Sequence, residues 1–238
     1  MTKIGSVAII LMAIFLYSPA MAADQVSGIN HIVFFDSQYS KRFVANGFLI
    51  EHQDNIYAVT VKHALLEAKT PSMNSVSVAD EVKEWRIYPN QNPDQYIVLG
   101  TLLNRSTKEV LDMRVLQRDW LNFEVKQNYS NLPALKLRDS PLQPGERVTA
   151  YGCSYFNAKT CQQDSYQGRF IKMETANLRI AMPDLSPGKL RGLSGSPVLD
   201  VEQRVVGIVS NVLRSENGDG LDFAPANLNY LREVLDSL

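Results

Sequence analysis

The apolar residues of this chain come in short runs, alternating or β-branched, and nearly every run is closed within a few residues by a turn signal. His-Ile-Val-Phe-Phe at 31–35, Ile-Tyr-Ala-Val-Thr at 56–60, Tyr-Ile-Val-Leu at 96–99, Arg-Val-Thr-Ala-Tyr at 147–151 and Arg-Val-Val-Gly-Ile-Val at 204–209 are of this kind. Runs of that length and pattern form strands. Between them stand Asn-, Gly- and Pro-rich breaks at 52–55, 90–93, 140–145, 186–188 and 217–220, each suited to a turn. Many short strands with frequent turns predict an all-β sandwich or barrel. Helical periodicity is confined to the end, where Leu228, Leu231, Leu235 and Leu238 fall on one face after Pro225, predicting an amphipathic terminal helix docked on the β core. Asn, Ser and Pro accumulate at 127–133, which divides the chain into two β halves of about a hundred residues each, an ordinary size for such units.

Residues 1–23 read as a cleavable leader. Lys3 precedes an apolar run at 7–17, which stops at Pro19 and is followed by the small-residue pattern Ala20-Met-Ala22. A spanning helix needs about 20 apolar residues, so the pattern predicts cleavage after Ala22 or Ala23. The mature chain, 24–238, is expected to be secreted or periplasmic, with no stable membrane insertion. Its 23 basic and 25 acidic side chains, Lys3 having gone with the leader, are interspersed, without the basic stripe that nucleic acid requires. In an oxidising compartment Cys153 and Cys161 suit a small disulfide-closed loop, contributing roughly 2 to 3 kcal/mol by chain entropy. Two thiols without a nearby His or carboxylate cluster make no metal site, and no organic cofactor is expected.

The residues suited to chemistry lie in two segments. Arg191-Gly-Leu-Ser-Gly-Ser-Pro-Val198 sets Ser194 between glycines just before a strand. Glycine on either side lets backbone amides approach a reacting carbonyl, so the N–H groups of Gly192 and Ser194 are candidates to stabilise an oxyanion. The same string also suits a plain turn. Upstream, Ala45-Asn-Gly-Phe-Leu-Ile50 is followed by a polar loop and then by Tyr57-Ala-Val-Thr-Val-Lys-His-Ala-Leu65, placing His63 where a strand gives way to a helical turn. His31 and His52 read as structural or solvated. All three histidines precede Ser194, and the residue two beyond Ser194 is Ser196. An α/β-hydrolase has the order Ser, acid, His and a Gly-x-Ser-x-Gly elbow, so that fold is excluded.

Taken together, Gly47-Phe48, Thr60-Val-Lys-His63, Gly192 to Pro197, and Val206-Gly-Ile-Val-Ser210 resemble the trypsin-like serine proteases, particularly their bacterial high-temperature-requirement and glutamyl-endopeptidase branches, over residues 29–235. The resemblance implies two six-stranded antiparallel β-barrels, one over about 24–130 and one over about 131–225, with a C-terminal α-helix over about 226–238. It implies a serine endopeptidase acting on protein or peptide, with Ser194 as nucleophile and His63 as base. Counting back from 132–137 and 144–152, which resemble the run into the second barrel, puts the acid at Asp119, with Asp112 as the alternative. Trp120, Leu121 and Asn122 depart from the apolar residue and Ala that usually follow the family's Asp. Relatives made as zymogens carry Asp where this chain has Leu193, so activity is expected to need no freshly cut N-terminus. By analogy Gly188, Lys189, Ser210, Asn211, Val212 and Leu213 border the substrate. A Lys189 facing the pocket favours acidic side chains, although a loop lysine is usually solvated. A non-cleaving binding protein, or an esterase on the same scaffold, are the competing readings.

Overall fold

The structure is a computed structural model that describes residues 25–238, apart from 79, 91, 184, 185, 217 and 219. The predicted leader therefore lies outside the described residues. No described helix is long and apolar enough to cross a membrane.

In the first half the short apolar runs become β1 (Gly28–Phe34), β2 (Asn46–His52), β3 (Asn55–Thr60), β4 (Val82–Tyr88), β5 (Ile97–Leu102), β6 (Leu121–Asn128) and the short β7 (Ala134–Lys136). Alternation sets the inward face: in β4, Trp85 and Ile87 are buried while their neighbours are not, and Trp85 packs on Phe123 of β6 at 5.1 Å between ring centroids. The hairpin joining β2 to β3 pairs His52 with Asn55 and turns through Gln53 and Asp54, both left-handed at φ 47° and 64°. Two such residues make the tight turn whose twist matches its flanking strands. Hydrogen bonding runs β1-β4-β5-β6-β3-β2, and β1 meets β2 to close the first barrel. β7 is added to β2 in parallel, with Leu49 opposite Ala134.

The second half forms β8 (Arg147–Gly152), β9 (Asp164–Met173), β10 (Leu178–Ala181), β11 (Pro197–Leu199), β12 (Val205–Arg214) and β13 (Leu221–Asn227). They close in the order β10-β13-β12-β11-β8-β9 around Val148, Phe170, Ile180, Val198 and Phe223. Both expected barrels are thus present. Two short helices, α1 (Ala64–Glu67) and α2 (Pro187–Leu190), lie in the connections.

The terminal helix α3 spans Asn229–Leu235, shorter than the leucine stripe predicts. Leu231 and Leu235 are buried as expected, Val234 joins them, and Leu238 is exposed beyond the helix end. Leu231 and Leu235 pack into the barrel-one core together with Val205 and Ile208 of β12. The helix leaves barrel two and fastens on barrel one, so the halves share one apolar seam.

Candidate active site

His63 follows the end of β3 and occupies the cap position of α1, at the strand-to-helix change expected from the sequence. Its backbone N–H donates to Asp119 Oδ1 at 2.9 Å, and its ring Nδ1 lies 2.6 Å from Asp119 Oδ2. An ionised carboxylate only accepts, so Nδ1 carries the proton and Nε2 keeps its lone pair. Asp119 ends a 3-10 run, Met113–Arg118, and is 0% exposed. It takes a third hydrogen bond from the Ser210 hydroxyl on β12. A buried carboxylate needs donors of this kind to remain charged. Burial pushes the His63 imidazole down, but the charge and hydrogen bond of Asp119, with the Glu67 carboxylate, outweigh it and hold its pKa above the usual histidine value. Asp112 is placed differently: it caps the 3-10 run by accepting from Arg114 N at 2.9 Å and pairs with the Arg114 guanidinium at the surface.

The residues after Asp119 that break the family pattern are structural. Trp120 is fully buried, lies edge-on to Phe48, and donates from Nε1 to the Asn227 carbonyl at 2.8 Å, tying this segment to barrel two. Asn122 receives β-ladder and Asn104 contacts through its backbone, while its buried carboxamide has no partner among the described residues.

Ser194 sits in a loop shaped by two left-handed glycines, Gly192 at φ 90° and Gly195 at φ 81°. A Cβ on Gly195 would fall 2.0 Å from the Asn46 carbonyl, so the loop is pressed directly on barrel one. Its turns are held by Ser196 N to the Leu193 carbonyl at 2.9 Å and Gly195 N to the Val209 carbonyl at 2.8 Å. Tyr155 N donates to the Arg191 carbonyl at 2.9 Å. The amides of Gly192 and Ser194 donate to no backbone carbonyl among the described residues. Leu193 is buried in the barrel-two core, and Ser194 is partly exposed. Its hydroxyl makes no hydrogen bond to the His63 ring among the described residues. Contact with Asn46, Thr60 and Val209 nevertheless brings this loop, the strand leading to His63 and the strand that touches Asp119 to one seam.

Residues 45–208 match the trypsin-like peptidase domain. The chain belongs to that family. No curated protein of similar sequence was found. Among solved structures the chain is similar to a Glu endopeptidase in complex with MPD, with TM-score 0.58 and 16% identity over 90% of this chain and 91% of that one. It is also similar to the Rv3671c protease from M. tuberculosis in its active form, with TM-score 0.57 and 12% identity over 90% of this chain and 81% of that one. At such identities the likeness is one of fold.

Within this peptidase fold the remaining predicted positions fall in several elements. β11 stops pairing with β12 at Ile208, whereas β13 continues from Asn211 to Arg214. Asn211, Val212 and Leu213 therefore have a ladder partner on one side only, while Ser210 falls in the register shift between Ile208 and Asn211. Asn211 Oδ1 accepts from Val212 N at 2.8 Å. Gly188 and Lys189 lie exposed in α2. Cys153 and Cys161 form a disulfide with Cα atoms 5.1 Å apart, covered by Ile29. His31 packs against Tyr88 with the rings tilted by 40° and their centroids 4.4 Å apart. Burial, then Arg42 and Arg86, push its pKa down to about 4. His52 ends β2, far along that strand from the seam. No group of His, Cys, Asp and Glu that could hold a metal occurs among the described residues. The sequence alone missed the Ser210 hydroxyl as a partner of Asp119, and it missed Asn46. Both act across the seam between residues far apart in the chain, and no local pattern marks such contacts.

Proposed function

We propose that this trypsin-like peptidase is an exported serine endopeptidase in which Ser194 is the nucleophile, His63 its general base and Asp119 the acid that orients the base. The observation that carries the reading is the buried Asp119 carboxylate, which takes both the backbone and the ring N–H of His63. That contact fixes the tautomer with Nε2 unprotonated, the state required of a base.

Ser194 Oγ attacks the scissile carbonyl carbon as its proton passes to His63 Nε2. The carbonyl oxygen becomes an oxyanion and accepts hydrogen bonds from the Gly192 and Ser194 amides. Collapse of the tetrahedral species breaks the C–N bond, and His63 returns the proton to the leaving amine. Water then attacks the acyl-enzyme by the same route and releases the acid. Asp119 stabilises the imidazolium at each proton transfer. The unpaired edge at 211–213 suits an extended peptide added as a strand, with Gly188 and Lys189 bordering the side chain next to the scissile bond. The apolar run at 7–17 and the disulfide between Cys153 and Cys161 both suit export.

A fluorophosphonate probe tests the reading. The folded protein is expected to label and Ser194→Ala to abolish labelling. Asp119→Asn is expected to slow it by about 10⁴-fold, the cost of the wrong imidazole tautomer. A folded protein that resists the probe, or equal labelling of Ser194→Ala, sinks the assignment. Cleavage of simple esters without cleavage of a peptide library would instead indicate an esterase.

A further inference from the structure

Asn46 stands at the start of β2, on the seam, and is 0% exposed. Its backbone N donates to the Ser194 carbonyl at 2.6 Å, and its own carbonyl accepts from Thr60 Oγ1 at 2.6 Å and Asn30 Nδ2 at 2.7 Å. Any residue other than proline offers that backbone. What asparagine adds is a carboxamide engaged at both ends with barrel two: Nδ2 donates to the Gly192 carbonyl at 2.6 Å and the Cys153 carbonyl at 2.9 Å, while Oδ1 accepts from Cys153 N at 2.9 Å. Its orientation is not arbitrary. Reversed, it would set an NH₂ against the Cys153 N–H and an oxygen against two carbonyls.

These contacts bear on the two amides that face the reaction. In a trans peptide the C=O and N–H point in opposite directions. Tyr155 N on the Arg191 carbonyl therefore aims the Gly192 N–H, and Ser196 N on the Leu193 carbonyl aims the Ser194 N–H. Asn46 grips the next carbonyl along from each of these amides, at Gly192 through its carboxamide and at Ser194 through its backbone N–H. It also grips Cys153, two residues before Tyr155. The buried side chain thus ties the loop that offers the amides, at the Gly192 carbonyl between them, to the segment that turns one of them, at Cys153.

We infer that the Asn46 carboxamide is a positioning residue that holds the Gly192 and Ser194 amides in place for the oxyanion. This rests on the reading of Ser194 as the nucleophile. Oxyanion contacts tighten in the transition state and leave ground-state binding little changed.

The full chain is compared with Asn46→Ala and with Asn46→Asp, which keeps the shape and loses both donors. With a fluorophosphonate probe the maximal inactivation rate is expected to fall roughly 100-fold in each, the scale of one lost oxyanion donor. The probe concentration for half-maximal rate is expected to stay within about twofold. The pKa governing labelling, set by His63 and Asp119, stays unchanged. Hydrogen exchange followed by mass spectrometry is expected to speed up at 190–197 and not in the barrel strands. Folded variants with the normal maximal rate overturn the inference. So does exchange that rises throughout both barrels, which would make Asn46 a general structural residue. If the parent chain is not labelled, the nucleophile assignment fails instead, and exchange at 190–197 still decides whether Asn46 orders the loop.

Discussion

Asp119 is a buried carboxylate with three donors around it, and its charge is what raises the His63 pKa against the effect of burial. The sign has two consequences. For stability, the folded state binds the His63 proton more tightly than the unfolded chain does. That contribution is fully present below the unfolded value of about 6.5 and is lost as pH rises through the folded value. In the proposed mechanism the base must be neutral, so activity is expected only above the folded value. Fluorophosphonate labelling as a function of pH is therefore expected to rise along a single acid limb centred above pH 6.5, the ordinary value for histidine. Asp119→Asn removes the charge and leaves burial, so its residual labelling should rise along a limb moved to lower pH. A limb unmoved by Asp119→Asn would mean that another group controls the base.

At the scale of elements, the loop carrying Ser194 depends on what anchors it. Leu193 turns away from Ser194 into the core of barrel two, at 1% exposed, with Val148 and Val198 in the same cluster. A buried leucine forms no ion pair, so the proposed oxyanion loop is expected to form without a new N-terminus, and the chain to label with the probe without any internal cut. Leu193→Ala is expected to cost about 2 to 4 kcal/mol in denaturant unfolding, as large-to-small core changes do. Leu193→Asp should cost more, since it buries an unpaired charge. A change below about 0.5 kcal/mol for Leu193→Ala, the size of a surface substitution, would show that the loop is not anchored there. The elements themselves were largely readable. Period-two runs gave the strands, and the strand-to-helix change gave the setting of His63, because both are local signals. The neighbourhood of Asp119 was harder to read. Trp120 owes its place to Phe48 and to Asn227 in the other barrel, and only the fold reveals that contact. The parallel β7 and the early end of α3 were missed for the same reason: the chain's crossing between barrels decides them, not periodicity.

Across the whole molecule, the candidate site belongs to neither barrel. His63 and Asp119 are carried by barrel one, Ser194 and Ser210 by barrel two, so the proposed chemistry requires that the halves stay in register. Several contacts enforce this. Trp120 bonds to Asn227, Ser27 Oγ donates to the Tyr151 carbonyl at 3.1 Å, and Val26 N donates to Gln163 Oε1 at 2.8 Å. The terminal helix adds an apolar share, because Leu231 leaves β13 behind and buries itself, 0% exposed, in the cluster that fills barrel one. Such a shared core couples the halves thermodynamically, and the unfolding of one should expose the packing surface of the other. The expected outcome for Leu231→Ala is a loss of about 2 to 5 kcal/mol. It should appear in calorimetry as one cooperative transition at lower temperature, by about 2 to 4 °C for each kcal/mol in a chain of this size. Labelling at Ser194 should be lost within that same transition, since the site cannot outlive the seam. If barrel two is an independent unit, the variant will instead show two transitions, with only the first moved.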